Sequence, residues 1–216
     1  KEENLFFKVQ SIGSKSIGGF RKAYPDTPWI YVYRDPVQVM RSHMKVKDTH
    51  HAVCLRRRED PPKDLQRLVD RVTRQARGTS GHRRDARELS TEEYCAAHLA
   101  TLCEAAEKQL SASDGLGRAV NYQDLPQILV DDIIPRHFLP GEHQNGKTLT
   151  SDEIKRITKV NSKYSKGRGS RGRKWEEDSE MKEETAWDEL RDASAKYLLP
   201  VYERLQKLQL KQTDTP

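Results

Sequence analysis

An arginine and a serine eight positions apart, Arg34 and Ser42, have the residue types and the spacing of an anion-binding pair. Arg34 directly follows a run of aromatic and β-branched residues. Asp35 and Pro36 come next, and they suit a helix cap and a first helical residue. A guanidinium at the end of a strand can donate two charge-assisted hydrogen bonds to one phosphate, and the Ser42 hydroxyl, two turns into the helix, can add another donor. The pair therefore predicts a phosphate site where a strand passes into a helix.

The elements that must position this pair have an α/β pattern. The run Trp29–Tyr33 predicts one strand, and Arg118–Tyr122 predicts another. Residues 5–9 are apolar apart from Lys8, which predicts a further strand that is covered on both faces. Strands interleaved with helices favour a largely parallel sheet, and such sheets bind ligands beyond the carboxyl ends of their strands.

Helices are predicted from capping signals and from the spacing of apolar residues. The sequence from Ser90 to Glu93 is a capping box, which predicts a long helix behind it. Apolar residues spaced by three, four or seven predict a C-terminal helix with one core-facing stripe, bent at Pro200. The stripe consists of Trp187, Leu190, Tyr197, Val201, Leu205 and Leu208. Shorter helices are predicted at 17–23, 36–44, 126–134 and 151–160.

Length and charge limit the classes of protein to which the chain can belong. The chain has 216 residues, enough for one domain, and its apolar stretches are too short to span a bilayer. Positive charge prevails, with 39 Lys and Arg against 33 Asp and Glu. We predict one domain over residues 1–210, with a partly mobile basic insert at 55–88 that contains one amphipathic helix, and a tail at 211–216. The insert and the Gly/Arg-rich loop at 165–174 leave open an alternative function, a basic nucleic-acid-binding module.

Three cysteines bear on disulfides and metals: Cys54, Cys95 and Cys103. They include no CxxC pair, so we predict no disulfide framework, and they do not identify the redox compartment. Histidines lie close to Cys54 and on the same predicted helix as Cys95. Neither group supplies four ligands at a spacing familiar from zinc sites, and we therefore predict no metal site.

Several segments, taken together, resemble the sulfotransferase family. The run Lys8-Val-Gln10 is followed further along the chain by Tyr31-Val-Tyr-Arg-Asp-Pro-Val-Gln-Val-Met-Arg-Ser42, which is similar to the family's 3′-phosphate-binding segment. The run Val120-Asn-Tyr-Gln-Asp-Leu125 resembles the family's strand-to-helix element. Tyr164-Ser-Lys-Gly167, with an aromatic residue and a long helix behind it, resembles the family's late basic loop. The order and spacing agree over most of residues 5–205.

The resemblance implies a fold, a donor and roles for individual residues. The implied fold is a three-layer, mostly parallel sheet flanked by helices, related to that of P-loop nucleotide-binding proteins. The implied reaction transfers a sulfuryl group from 3′-phosphoadenylyl sulfate (PAPS) to a hydroxyl or amine, without a metal. By resemblance, Arg34 and Ser42 hold the 3′-phosphate, Lys166 and Gly167 cover it, and Lys8 is catalytic, offsetting negative charge at the reacting centre.

The chain departs from the family pattern in two places. The family's sulfate-binding loop belongs upstream of Lys1, so we predict an N-terminally incomplete domain that is inactive by itself. Gln10 stands where many members have a catalytic histidine, and glutamine cannot accept a proton. The acceptor, a carbohydrate or a small molecule or a protein tyrosine, stays open, and so does the compartment, cytosol or secretory lumen. The pattern favours the enzyme over the nucleic-acid-binding module, and a non-catalytic scaffold of the same fold is a third alternative.

Overall fold

The computed structural model describes residues 6–47, 51–77, 83–112, 115–139, 149–161 and 178–213. Over these ranges the protein is α/β and mostly helical, and its sheet consists of two parallel strands. The predicted α/β class is confirmed in this coarse form. In chain order, the elements are α1 (Ile17–Ala23), β1 (Trp29–Tyr33), α2 (Pro36–His43), α3 (Lys63–Arg77), α4 (Thr91–Ser111), β2 (Gly117–Asn121), α5 (Leu129–Phe138), α6 (Ser151–Asn161), α7 (Ser179–Glu184), α8 (Asp188–Ala193) and α9 (Leu199–Thr213).

Local chemistry accounts for the strand and the helix that meet at Arg34. The aromatic and β-branched residues of β1 pair in parallel with β2, and the last residues of the two strands lie opposite each other. Asp35 caps α2 because its Oδ1 accepts hydrogen bonds from the backbone N–H groups of Val37 and Gln38, at 2.8 and 3.1 Å. Pro36 is the first helical residue, where its missing N–H costs nothing. The predicted strand, cap and helix are confirmed.

α4 is the central helix of the core. It begins at the predicted capping box, in which Ser90 Oγ accepts from the Glu93 N–H and Glu93 Oε2 accepts from the Ser90 N–H, at 3.1 and 3.2 Å. Its inner residues, Tyr94 and Leu110 among them, are buried. α3, β2 and the C-terminal helices all pack against it. The capping signal in the sequence therefore marks the start of the helix around which the other elements assemble.

The basic insert at 55–88 is attached to α4 in two ways. α3 buries Leu65 and Leu68 in the core, as the apolar spacing predicts. Just before the insert, Cys54 forms a disulfide with Cys95 of α4, and both residues are buried. The spacing of the cysteines does not indicate this bond, because the fold alone brings the two residues together.

A π-helical turn, Ser194–Leu198, interrupts the C-terminal helix between α8 and α9 and ends two residues before Pro200. Proline has no N–H to donate, so a change in the helical hydrogen bonding next to it is expected. The predicted stripe faces the core, and four of its members are buried: Leu190, Tyr197, Val201 and Leu205.

Two glutamines of α9 bind the outer edge of β2. Gln209 Oε1 accepts a hydrogen bond from the Asn121 N–H at 2.7 Å. Gln212 Oε1 accepts from the Ala119 N–H at 2.9 Å, and its Nε2 donates to the Gly117 carbonyl at 2.8 Å. Side-chain amides thus replace a third strand on this side of the sheet.

The predicted strand at residues 5–9 is wrong over the part that the structure describes. Residues 6–10 form no strand, and Lys8 lies on this exposed segment. Phe6 is 64% exposed and packs edge-on against the Phe138 ring, with the centroids 5.2 Å apart. A strand depends on hydrogen bonds to a neighbour, and neither β1 nor β2 pairs with this segment.

Three of the four shorter predicted helices are confirmed, and the fourth is displaced along the chain. Those at 17–23, 36–44 and 151–160 correspond to α1, α2 and α6. The helix predicted at 126–134 is displaced towards the C-terminus and is the π-helical α5. In the ranges that the structure describes, no helix combines the length and the apolar composition that crossing a membrane requires.

Candidate functional site

Arg34 lies at the carboxyl end of β1, and its guanidinium is held on two sides. Its Nε donates a hydrogen bond to Gln38 Oε1 at 2.6 Å, one helical turn further on. Its Cζ lies 4.4 Å from the ring centroid of Tyr122, which directly follows β2. The Arg34 side chain is only 12% exposed. The guanidinium is therefore fixed where the carboxyl ends of both strands meet, as the sequence predicts.

A second cation and a carboxylate complete the cluster. Arg34 Nη2 forms an ion pair with Asp178 Oδ1 at 3.0 Å and donates to Ser179 Oγ at 2.7 Å. Lys182 Nζ lies 2.6 Å from Asp178 Oδ2. Burial raises the pKa of Asp178, but the hydrogen bonds and charges of Lys182 and Arg34 outweigh this effect and hold the pKa below its ordinary value. Two cations thus share one ionised carboxylate, an arrangement that motif spacing does not reveal.

Gln38 connects the two predicted phosphate ligands. Its side chain is fully buried, and its Nε2 donates to Glu183 Oε1 at 2.5 Å, which joins α2 to α7. Its backbone carbonyl accepts a hydrogen bond from Ser42 Oγ at 2.9 Å. Arg34, Gln38 and Ser42 therefore follow one face of α2. The half-buried Ser42 hydroxyl is bonded to its own helix, so it must turn away from this carbonyl before it can donate to a ligand.

The other predicted site residues do not join this cluster. Lys8 is exposed, and it shares no hydrogen bond or ion pair with Arg34, Ser42 or Asp178 in the described part of the chain. The two residues predicted to cover the phosphate, 166 and 167, lie outside the described residues. The structure therefore brings two of the five predicted residues together, Arg34 and Ser42.

An open cleft of about 610 Å³ lies beside the same strand ends. It is lined by Tyr33 and Asn121, the last residues of β1 and β2, and by polar residues of α9. Tyr33 donates its hydroxyl to Gln209 Oε1 at 2.8 Å, and Gln209 Nε2 donates to Asp124 Oδ2 at 2.6 Å. The cleft therefore lies next to the strand ends, but Arg34, Ser42 and Lys182 are not among the residues that line it.

The cysteines offer no reactive thiolate in the structure. Cys54 and Cys95 are joined to each other, so neither is available as a metal ligand. Burial raises the pKa of Cys103 to about 11, and Tyr31 donates its hydroxyl to the Cys103 sulfur at 3.4 Å. In the described part of the chain, no three His, Cys, Asp or Glu side chains are grouped as metal ligands.

Much of the positive charge of the 55–88 insert is neutralised by ion pairs. Arg71 pairs with Glu104 of α4, and Arg84 forms a bidentate pair with Glu93, at 2.9 and 2.7 Å. Three further arginines of the insert are paired with carboxylates: Arg57, Arg83 and Arg87. Cations that are engaged in this way contribute less to binding a polyphosphate backbone than free ones do.

No protein-family model matches the sequence, and no characterised protein or solved structure is significantly similar to it. A function for this chain must therefore be inferred from its own residues and their contacts.

Proposed function

We propose that the chain belongs to a sulfotransferase domain and that the Arg34 cluster binds the 3′-phosphate of the donor PAPS. The observation that supports this most directly is the pair of cations, Arg34 and Lys182, which are 12% and 11% exposed and lie at the carboxyl end of a parallel strand. This is the location and the chemistry that the sequence predicts for a phosphate site.

The fixed orientation of Arg34 suits it for the recognition of a phosphate. Because Gln38 and Tyr122 hold the guanidinium, little side-chain entropy is lost when it binds an anion. Ser42 lies two turns along the same helix and adds a hydroxyl. In the proposed enzyme, Lys166 and Gly167 cover the phosphate, and Lys8 offsets negative charge at the reacting centre.

The proposed domain has a three-layer, mostly parallel sheet, of which β1 and β2 are two strands. α9 closes the outer edge of β2 through Gln209 and Gln212. No strand pairs with the other edge of β1 in the described ranges. In the proposed domain, further strands extend the sheet on this side of β1.

The test compares two nucleotides that differ by one phosphate. The chain is titrated with adenosine 3′,5′-bisphosphate and with adenosine 5′-monophosphate, and NMR chemical shifts report the binding. We expect the bisphosphate to bind more tightly. Arg34→Ala is expected to weaken its binding by about 1.5 to 3 kcal/mol, the usual contribution of a hydrogen bond to a charged group.

Arg67→Ala is the matched control, because it removes the same charge from an exposed position on α3. It is expected to leave the affinity for the bisphosphate unchanged. Equal affinities of the wild type and Arg34→Ala would remove Arg34 from the site. Tight, strongly salt-dependent binding of single-stranded RNA that Arg67→Ala weakens and Arg34→Ala does not would favour the nucleic-acid-binding module instead.

A further inference from the structure

One face of α3, which we call the basic stripe, carries four cations and no acid among the described side chains of this helix. The four residues are exposed: Lys63, Arg67, Arg71 and Arg74. At about 100° per residue they fall within an arc of about 80°, on the side of the helix opposite to the apolar residues that pack in the core. With a rise of about 1.5 Å per residue, the stripe is about 16 Å long. α3 thus presents a straight row of positive charge to the solvent.

Two acids of α3 flank the basic stripe, and each is paired with a cation from another segment. Asp64 Oδ2 lies 2.7 Å from Lys15 Nζ on one side. Asp70 Oδ1 lies 3.2 Å from Arg83 Nε on the other. The charges of these two acids are therefore balanced by cations that do not belong to the stripe.

The charges of the basic stripe repel one another. Like charges three or four residues apart destabilise a helix, and the stripe contains three such pairs in succession. Lys63 is also the first residue of α3, where the helix dipole disfavours a cation. Arg71 pairs with Glu104 of α4, but neither Lys63 nor Arg67 forms an ion pair with a described residue. A bound polyanion would offset this repulsion.

The composition and spacing of the basic stripe suit a linear ligand that carries sulfate groups. Three of its four cations are arginines, and a guanidinium can donate two parallel hydrogen bonds to one oxyanion. Four cations over about 16 Å also match a ligand with a high density of negative charge. Sulfate esters can give a polysaccharide more than one negative charge per sugar, whereas a uronic acid supplies a single carboxylate.

Two observations favour a polysaccharide over a nucleic acid. The disulfide between Cys54 and Cys95 indicates an oxidising environment, because such bonds are rare in cytosolic and nuclear proteins. Sulfated polysaccharides occur outside cells, where disulfides persist, whereas nucleic acids are largely kept in reducing compartments. In addition, α3 has no aromatic residue on which an unpaired base could stack.

We propose that the basic stripe of α3 is a docking surface for a sulfated polysaccharide, whose sulfate groups contact the three arginines and the lysine in a row. The disulfide lies just before the segment that contains α3 and attaches that segment to α4. This docking surface is separate from the Arg34 cluster and does not depend on the proposed function.

The experiment measures the affinity of the chain for a fluorescently labelled heparin oligosaccharide by fluorescence anisotropy, over a series of salt concentrations. The double variant Lys63→Gln with Arg67→Gln removes the two cations of the stripe that form no ion pair. We expect it to weaken heparin binding about ten-fold at low salt, and to reduce the slope of log affinity against log salt concentration by about one to two. Lys63→Arg with Arg67→Lys keeps both charges and is expected to bind heparin as the wild type does.

Lys155→Gln with Arg156→Gln is the matched control, because it removes one lysine and one arginine from exposed positions on α6. It is expected to leave heparin binding unchanged, and so is Arg34→Ala, which separates this surface from the proposed nucleotide site. Circular dichroism verifies that each variant keeps the helical signal of the wild type.

Three results would overturn the proposal. The first is an equal loss of heparin binding in the two Gln double variants, since net charge alone would then explain it. The second is equally tight binding of hyaluronan, a polysaccharide that carries carboxylates without sulfate. The third is a single-stranded RNA with the same number of charges that binds more tightly than heparin and is weakened by the loss of Lys63 and Arg67, which would assign the stripe to nucleic acid.

Discussion

Replacing Glu93 with Gln should destabilise the protein, because this one side chain joins the start of α4 to the basic insert and to the C-terminal helix. Its carboxylate receives the bidentate pair from Arg84 of the basic insert and a hydrogen bond from Lys196 of the C-terminal helix, at 2.7 Å. It also completes the capping box of α4 through the Ser90 N–H. Glutamine can preserve the cap, but it carries no charge for the two cations. The change therefore isolates the electrostatic part of the junction.

The expected loss is about 2 to 3 kcal/mol in the free energy of unfolding. Hydrogen bonds to charged groups contribute about 1.5 to 3 kcal/mol each, and we take the low end because Arg84 and Lys196 are 33% and 38% exposed and partly screened by solvent.

Burial raises the pKa of Glu93, but the bonds from Arg84, Lys196 and the Ser90 N–H outweigh it and lower the pKa. The stabilisation is therefore present above the ordinary pKa of 4.5 and lost as the pH falls below it.

Urea unfolding, followed by far-ultraviolet circular dichroism at neutral and acidic pH, measures this loss. Glu88→Gln is the matched control, since Glu88 is an exposed carboxylate on the same segment and its removal is expected to cost less than about 0.5 kcal/mol. Equal stabilities of the two variants at neutral pH would refute the reasoning. So would a loss in Glu93→Gln that is as large at acidic pH, where the wild-type carboxyl is protonated.

Two further predictions concern the pH dependence and the disulfide. Burial, together with the nearby charges of Lys15 and His43, lowers the pKa of His98 to about 4, below its ordinary 6.5, so the folded chain takes up the proton less readily than the unfolded chain. In thermal unfolding, the stabilisation from neutral His98 should be fully present above pH 6.5, and the free energy of unfolding should fall by about 2 to 3 kcal/mol as the pH approaches 4. His98→Gln should abolish this fall. A variant whose stability depends on pH in the same way as that of the wild type would contradict the prediction. Replacing both Cys54 and Cys95 with Ala should lower the free energy of unfolding by about 4 kcal/mol, because the bond spans 41 positions, and a loss below about 1 kcal/mol would speak against it.

The parts of the fold that were predicted correctly depend on neighbouring residues. The strand β1, the Asp35 cap and the Ser90 capping box are each determined by side chains a few positions apart, so their sequence patterns suffice. The position of Arg34 followed from the same local pattern, because a residue between a strand and a capped helix must lie at the strand's carboxyl end.

The parts that were missed depend on contacts between distant segments. Asp178 contacts Arg34 only in the folded chain, and no sequence motif near either residue indicates that they pair. The same holds for the Cys54–Cys95 bond. The error at residues 5–9 has a related cause, since apolar composition shows that a segment can be a strand but not whether another strand lies beside it.

The glutamines that bind β2 have a consequence for aggregation. An uncovered strand edge is a template on which strands of other molecules can add, and natural proteins shield such edges. Here the shield is the last helix of the described chain, attached by Gln209 and Gln212. Proteolytic trimming of α9 would therefore do more than shorten the protein, because it would leave the edge of β2 open to strands of other molecules.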